Sequence, residues 1–297
     1  MAIIVFYTSC PVCGDTSIQK VFTTKDFMVT RQDFEVWECC ACSLRFTQAI
    51  PTETEIGAYY QSESYVSHTD TQKGLINKLY HRVRKITLRS KQKLAESVPH
   101  TGKQLLDIGA GTGAFADHMR KQGWQVSGIE ADETARKKAA NLYGLTLYAN
   151  PELFYLQQNH YDIITMWHVL EHVHTLHEYI EQIKKILHDN GTLLIAVPNY
   201  TSYDAALYKE YWAAYDVPRH LYHFSPNAMR ALLKKHELKL RAIKPMWFDS
   251  FYVSLLSEKY KTGKQNIIKG FWNGFISNSK ALSNKERCSS IIYVISK

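Results

Sequence analysis

No apolar run in the chain approaches the roughly 18–20 residues of a membrane-crossing helix, so a helical membrane protein is not expected. The first residues, Met1-Ala2-Ile3-Ile4-Val5-Phe6-Tyr7, carry no basic group and form too short an apolar stretch for a signal peptide, which points to the cytoplasm. Internal repeats and low-complexity tracts are absent too. Acid is missing from one stretch altogether. Between Lys73 and Lys93 stand Lys73, Lys78, Arg82, Arg84, Lys85, Arg89, Lys91 and Lys93 with no Asp or Glu, and these eight charges equal the whole net charge of +8. Leu75, Leu79, Val83 and Ile86 recur there at helical spacing, so the stretch reads as an amphipathic helix. Its basic face is open to three readings: a solvated surface, a contact for an anionic substrate or nucleic acid, or a membrane-surface helix.

What is present is an ordinary globular composition, 45% hydrophobic and 22% charged over 297 residues. That is enough for one sizeable core and a small satellite domain. Four of the six cysteines form two knuckles, Cys10-Pro11-Val12-Cys13 and Cys39-Cys40-Ala41-Cys42, with strand-like sequence between them. Two C-x-x-C pairs so spaced read as a four-thiolate tetrahedral zinc site of the ribbon type, with Cys10, Cys13, Cys39 and Cys42 as ligands. The metal replaces a core that so short a module cannot build. A redox dithiol, inert buried thiols and disulfides are the other readings. A closed four-cysteine site leaves no position for catalysis. Cys40 reads as a spare and Cys288 as a core residue.

The run Leu105-Leu106-Asp107-Ile108-Gly109-Ala110-Gly111-Thr112-Gly113 reads as a buried parallel strand, a tight turn and a helix starting near Ala114. Glycines there let the backbone approach a ligand and take unusual dihedrals. The turn presents N–H groups at a helix N-terminus. Gly109, Gly111 and Ala114 fit the dinucleotide pattern G-x-G-x-x-G/A. Asp107, however, puts a carboxylate at the mouth of the turn, which repels a pyrophosphate and attracts a cation such as an amino acid's ammonium. Val126-Ser127-Gly128-Ile129-Glu130 reads as a second strand ending in an acid suited to ribose hydroxyls.

With these motifs the chain resembles the class I S-adenosylmethionine (SAM) methyltransferases. Tyr161-Asp162-Ile163-Ile164-Thr165-Met166 is similar to that family's fourth strand, and Trp167-His168-Val169-Leu170-Glu171-His172-Val173 to the "hVLEHv" segment of its small-molecule subgroup. Gly191-Thr192-Leu193-Leu194-Ile195-Ala196-Val197-Pro198-Asn199 resembles the fifth strand, so the likeness covers about residues 101–200. It implies an α/β fold, a Rossmann-like doubly wound sheet of the class I methyltransferase type, here with a small N-terminal zinc ribbon. The expected organisation is a ribbon at 1–50, a linker and basic helix at 51–102 (the linker rich in tyrosine: Tyr59, Tyr60, Tyr65), and the methyltransferase domain at 103–297. Helices are expected at 114–122, 133–143, 176–188 and 226–236, and the last two strands at 238–243 and 291–295 as an antiparallel edge. Two inserts, an aromatic and histidine-rich one at 200–225 and a polar, basic one at 255–287, are expected to reach the carboxyl ends of the strands as lids.

The resemblance also implies roles. Asp107 faces the methionyl ammonium, Gly109, Gly111 and Gly113 line the methionyl and ribose side, Glu130 binds the ribose hydroxyls, and Ala131 packs near adenine. Asn150 stands where many relatives have an adenine-binding Asp, and Met166 belongs to the same cofactor set. His168, at the edge where the methyl group lies, is a candidate base or a pocket-shaping residue. Pro218-Arg219-His220-Leu221-Tyr222-His223-Phe224 resembles the "PRHLYHF" segment of one subgroup, which makes His220 and His223 further candidate bases and gives Arg219 as a grip for an anionic acceptor. The leading expectation is methyl transfer to a small molecule, a sugar or a quinone-like or polyketide-like intermediate. The alternatives are an RNA methyltransferase gripping with ribbon and basic helix, and a non-catalytic SAM-binding module. Against RNA chemistry, Thr165-Met166-Trp167-His168 replaces the N/D-P-P-Y motif of amino-nitrogen base methylation.

Overall fold

The computed structural model describes residues 4–60 and 75–297, with the side chains of all of these except 75–81. Tyr65, Lys73 and the side chain of Lys78 therefore lie outside the described residues.

The apolar runs of the second half form a six-stranded sheet. Its parallel strands are β6 (Gln104–Ile108), β7 (Gln125–Ile129), β8 (Tyr161–Trp167) and β9 (Leu187–Pro198). The order is β11-β12-β9-β8-β6-β7, where β11 is Lys239–Pro245 and β12 is Ser290–Ser296. β8 and β9 are buried along nearly their whole length, as strands covered on both faces must be. Helices between the strands supply the cover: α2 (Ala114–Lys121), α3 (Glu133–Tyr143), α4 (Leu176–Ile186) and α6 (Pro226–Lys235). Their ends follow local chemistry. Asp132 caps α3 by accepting from Thr134 and Ala135 N–H, and Gly144 closes it at φ 62°. Ser225 caps α6, with Pro226 in its first turn.

The antiparallel edge proves to be a single strand. β12 pairs antiparallel with both β9 and β11, so β11 runs in the same sense as the parallel strands. Residues 146–149 contribute only one parallel bridge, Ile129 with Tyr148, and the chain then turns at Asn150-Pro151 into a short helical turn.

The N-terminal fifty residues form β1 (Ile4–Val5), β2 (Ile18–Lys25), β3 (Asp33–Cys39), β4 (Arg45–Thr47) and β5 (Ile50–Pro51). β2, β3 and β4 are antiparallel, and β4 continues onto β10 (Tyr222–His223), a strand from the aromatic insert. Cys10, Val12, Leu44 and Phe46 share one apolar core with Ile108, Met166 and Ile195 of the large sheet. The rest of the insert, including α5 (Tyr203–Tyr208), packs Tyr208, Trp212 and Tyr215 against Phe34 and Val36 of β3.

The basic stretch is a helix, α1 (Leu75–Ser97). Its inward stripe is the buried Ala95 with the half-buried Leu88 and Leu94, against Phe115, Met119 and Trp124, whereas Ile86 is 45% exposed. The insert read as polar is two helices, α7 (Asp249–Thr262) and α8 (Ile267–Ser283). Gly270 and Gly274 let them touch: a Cβ on either would lie within 3 Å of the α7 backbone. The outer side of α8 exposes Ile267, Ile268, Phe271, Trp272 and Phe275, so its glycines and lysines masked an apolar face.

Candidate active site

β6 delivers its last residues to the glycine turn at the carboxyl edge of the sheet. Gly109, Gly111 and Gly113 hold φ of +71°, +55° and +79°, the left-handed region that glycine enters without strain. Two of the three are also pressed by neighbours. A Cβ on Gly109 would clash with Val169 Cγ2, and one on Gly113 would meet Leu145 and Ala139 at 3.0 and 3.1 Å. Gly111 has nothing within 4 Å on that side, an open cradle in an otherwise tight turn. Glu130 faces it. Its Oε2 accepts Gly111 N–H at 2.7 Å and its Oε1 accepts Asp132 N–H at 2.9 Å. Ala131 is exposed beside it, and Asn150 is half-buried at the start of the turn beyond the Tyr148 bridge. Met166 is fully buried in the core among Ile108 and Leu170, so the structure does not bring its side chain together with this group.

Asp107 lies beneath the turn, 1% exposed, and accepts Thr165 Oγ1–H at 2.7 Å. Burial pushes its carboxyl up to about 6, against the Thr165 hydrogen bond and the attraction of Lys91. Lys91, on α1, stands over Trp167 with Nζ 4.3 Å from a ring centroid. Burial lowers its ammonium to about 8, while Asp107 and Asp249 pull the other way. Helical spacing alone does not show that one lysine of a basic stretch turns inward. The Trp167 indole N–H is buried and unpaired among the described residues.

Just past β8, His168 takes φ +60°, strained for a residue with a Cβ. Its ring bridges two carboxylates: Nε2 is 2.8 Å from Asp249 Oδ2 and Nδ1 is 3.3 Å from Glu171 Oε1. Burial opposes the imidazolium, but Asp249 and Glu171 outweigh it and hold the pKa up at about 10. His168 therefore carries its proton at neutral pH in this arrangement. Burial disfavours Glu171 as an anion, yet the His168 hydrogen bond and charge hold its pKa below the usual range. His172 and His220 complete the group, their rings edge to face at 4.6 Å. Burial and then His220 lower His172 to about 4. Asp249 was not read from the sequence. An acid just past the carboxyl end of β11 was the available signal, since ligands collect at that edge.

His168 and His220 thus come together around Glu171, and His223 does not join them. It sits on β10 with Nε2 3.2 Å from Thr47 Oγ1 and its ring against Tyr215. Arg219 is no free grip for an anion. It is 1% exposed and committed to Asp216, to Asp26 of the ribbon segment and to the Tyr59 carbonyl.

The four knuckle cysteines cluster as expected. Their sulfurs lie within 4.8 Å of one another, with Cys10–Cys42 at 3.6 Å and Cys13–Cys39 at 3.5 Å, and none forms a disulfide. A Zn–S bond of about 2.3 Å implies tetrahedral S···S separations of about 3.8 Å, so the donor set fits zinc with little adjustment.

A family model described as "Methyltransferase domain" matches residues 79–243, more than half of the chain. The chain belongs to the methyltransferase-domain family. The match begins on α1 and ends on β11, so it spans the glycine turn, Asp107, Glu130, His168 and both histidines of the Glu171 group. Among curated relatives, a protein named ubiquinone biosynthesis O-methyltransferase from Maricaulis maris is 27% identical, over 48% of this chain and 62% of its own length. One of the same name from Caulobacter vibrioides is 31% identical, over 39% of this chain and 48% of its own. The chain thus spans about half to three-fifths of the length of these relatives. A solved SAM-dependent methyltransferase from Archaeoglobus fulgidus superposes with a TM-score of 0.48 at 16% identity, covering 73% of this chain and 94% of that one. The methyltransferase family's cofactor, SAM, is the ligand its glycine turn is to be measured against. Among the described residues no helix is long and apolar enough to cross a membrane.

Proposed function

We propose that this methyltransferase transfers the methyl group of SAM to an oxygen of a small-molecule acceptor. The observation that carries the reading is the pairing of a buried carboxylate, Asp107, with the open cradle at Gly111 opposite Glu130. SAM supplies an electrophilic methyl on a sulfonium, and the protein must align donor and acceptor. Asp107, held by Thr165, receives an ammonium. Lys91 stands over the same pocket and neutralises a carboxylate. Glu130 keeps lone pairs for ribose hydroxyls while its other contacts fix the turn. Ala131 and Asn150 border the adenine end. Val169 packs on Gly109, so the segment carrying His168, Glu171 and His172 lies directly against the turn and forms the acceptor end. His172 and His220 present their imidazoles at this acceptor end. The relatives named as O-methyltransferases of ubiquinone biosynthesis support an oxygen acceptor on a ring-like substrate.

Calorimetric titration with adenosylhomocysteine, beside methyl transfer from labelled SAM to hydroxylated small molecules, tests this. Saturable heat with adenosylhomocysteine and none with NAD is expected. Uptake of NAD instead, or labelling of RNA but no small molecule, would replace the reading.

A further inference from the structure

One ligand atom each of Glu171, His172 and His220 lies within 4.8 Å of the other two. Their surroundings decide where the protons are. The Arg219 carbonyl is 2.9 Å from His172 Nδ1 and can only accept, so Nδ1 carries the proton and Nε2 presents a lone pair. The Tyr60 hydroxyl also lies 2.9 Å from that Nδ1. The Ala214 carbonyl, 2.8 Å from His220 Nδ1, fixes the second ring the same way. Backbone carbonyls holding the far ring nitrogen are how ligating imidazoles are oriented in metal sites. His220 Nε2 is 4.0 Å from Asp216 Oδ2, too far for a hydrogen bond, and Asp216 is already bonded to Arg219. Glu171 divides its oxygens. Oε1 meets His168, whereas Oε2 is buried and has no hydrogen-bond partner among the described residues. A buried carboxylate oxygen without a donor is costly. The two imidazoles cannot supply that donor, since their protons are held on Nδ1 by backbone carbonyls. A cation satisfies all three groups at once.

We propose that Glu171, His172 and His220 form a second metal site, separate from the cysteine cluster, for a divalent first-row cation that binds the acceptor's hydroxyl. Two imidazoles and one carboxylate suit Mn²⁺, Fe²⁺, Co²⁺ or Zn²⁺ and leave coordination positions for oxygen ligands. The site sits in the segment that packs on the glycine turn through Val169, beside the proposed SAM cradle. The role of the ion rests on the methyl-transfer reading. Coordination makes the hydroxyl acidic and its proton leaves to water. The oxygen's lone pair then forms the O–CH3 bond, the carbon–sulfur bond breaks, and its electron pair stays on sulfur, turning the sulfonium into a neutral thioether.

Electron paramagnetic resonance can follow Mn²⁺ titrated into the full chain with its ribbon cysteines zinc-loaded. One Mn²⁺ per chain is expected, with affinity at least tenfold weaker in His220→Ala and in Glu171→Gln. Adenosylhomocysteine heat that persists in the variants shows that they are folded; should Glu171→Gln fail that check, His172→Ala takes its place. No Mn²⁺, Co²⁺ or Zn²⁺ bound beyond the cysteine cluster overturns the site, and so does Mn²⁺ binding that survives both substitutions. The titration needs neither cofactor nor acceptor. Failure of the methyl-transfer reading shows instead as missing adenosylhomocysteine heat with the Mn²⁺ titration intact.

Discussion

Asp249 Oδ2 lies 2.8 Å from His168 Nε2, which ties the first residue of α7 to the first residue beyond β8. The helical hairpin between β11 and β12 is thus fastened to the candidate active site by its own N-terminal turn. It is held further out as well: Tyr208 donates to Glu258 of α7, and Ser277 of α8 donates to Asp204 of α5.

Asp249→Asn should therefore uncouple the hairpin from His168. A hydrogen bond between charged groups contributes about 1.5–3 kcal/mol, and losing it frees a histidine held in a strained conformation. Turnover should fall by about tenfold or more, the effect of roughly 1.4 kcal/mol on a barrier, with adenosylhomocysteine affinity little changed. Steady-state kinetics beside calorimetry checks this. Unchanged turnover would mean that the contact does not bear on the acceptor end.

Gly111→Val tests the cradle. The residue holds φ +55°, a conformation that a β-branched side chain adopts only under strain, and the new methyls would occupy the open side of the turn. Adenosylhomocysteine binding should vanish, while the circular dichroism spectrum and the metal content of the cysteine cluster stay as in the unmodified chain. Retained affinity would move the cofactor elsewhere.

The parts of the site that were legible in the sequence are those whose geometry is local. A D-x-G-x-G-x-G run fixes its own turn because each glycine's dihedral is set within a few residues. The knuckle cysteines find each other because two tight turns bring paired ligands together. What was not legible depends on which face of an element turns inward. Lys91 is one of eight basic residues on a stretch whose apolar stripe runs through Leu88, Leu94 and Ala95 rather than Ile86. Asp249 becomes a partner of His168 only once β11 places it at the carboxyl edge of the sheet. Arg219 looked free because Asp26, which buries its guanidinium together with the neighbouring Asp216, comes from the distant ribbon segment.

With Asp107 as the proposed partner of the ammonium, its raised pKa should give SAM binding a pH dependence. Its folded value of about 6 stands above the ordinary 3.8, so the ligand-free protein holds this proton more tightly than the unfolded chain does. The group's contribution to stability is complete below about pH 4 and is lost as the pH rises through about 6. A cationic ligand reverses the preference, since an ammonium pairs only with the ionised carboxylate. Affinity for adenosylhomocysteine should rise by up to about tenfold per pH unit below pH 6 and level off above it. Asp107→Asn should flatten that limb and weaken binding at pH 7. A limb that persists in the variant would assign the titration to another group.

Removing the metal from the cysteine cluster should reach further than the ribbon. β4 of the ribbon pairs with β10, Tyr222 with Phe46 and His223 with Arg45, two residues beyond His220. The Thr47 hydroxyl donates to the His220 carbonyl at 2.7 Å, and Asp26 holds Arg219, the residue before it. A four-cysteine zinc site contributes about 10–16 kcal/mol to the folding of a small module, far more than these contacts retain without it. Cys42→Ser or a strong chelator should therefore release β2–β4 and, with them, the loop that carries His220. Methyl transfer should drop by more than tenfold while adenosylhomocysteine, proposed to bind at the ends of β6 and β7, keeps most of its affinity. Hydrogen exchange should show protection lost at 18–47 and 214–224 but kept at 104–129. Loss confined to the ribbon, with turnover intact, would show that the cysteine cluster does not support the acceptor end.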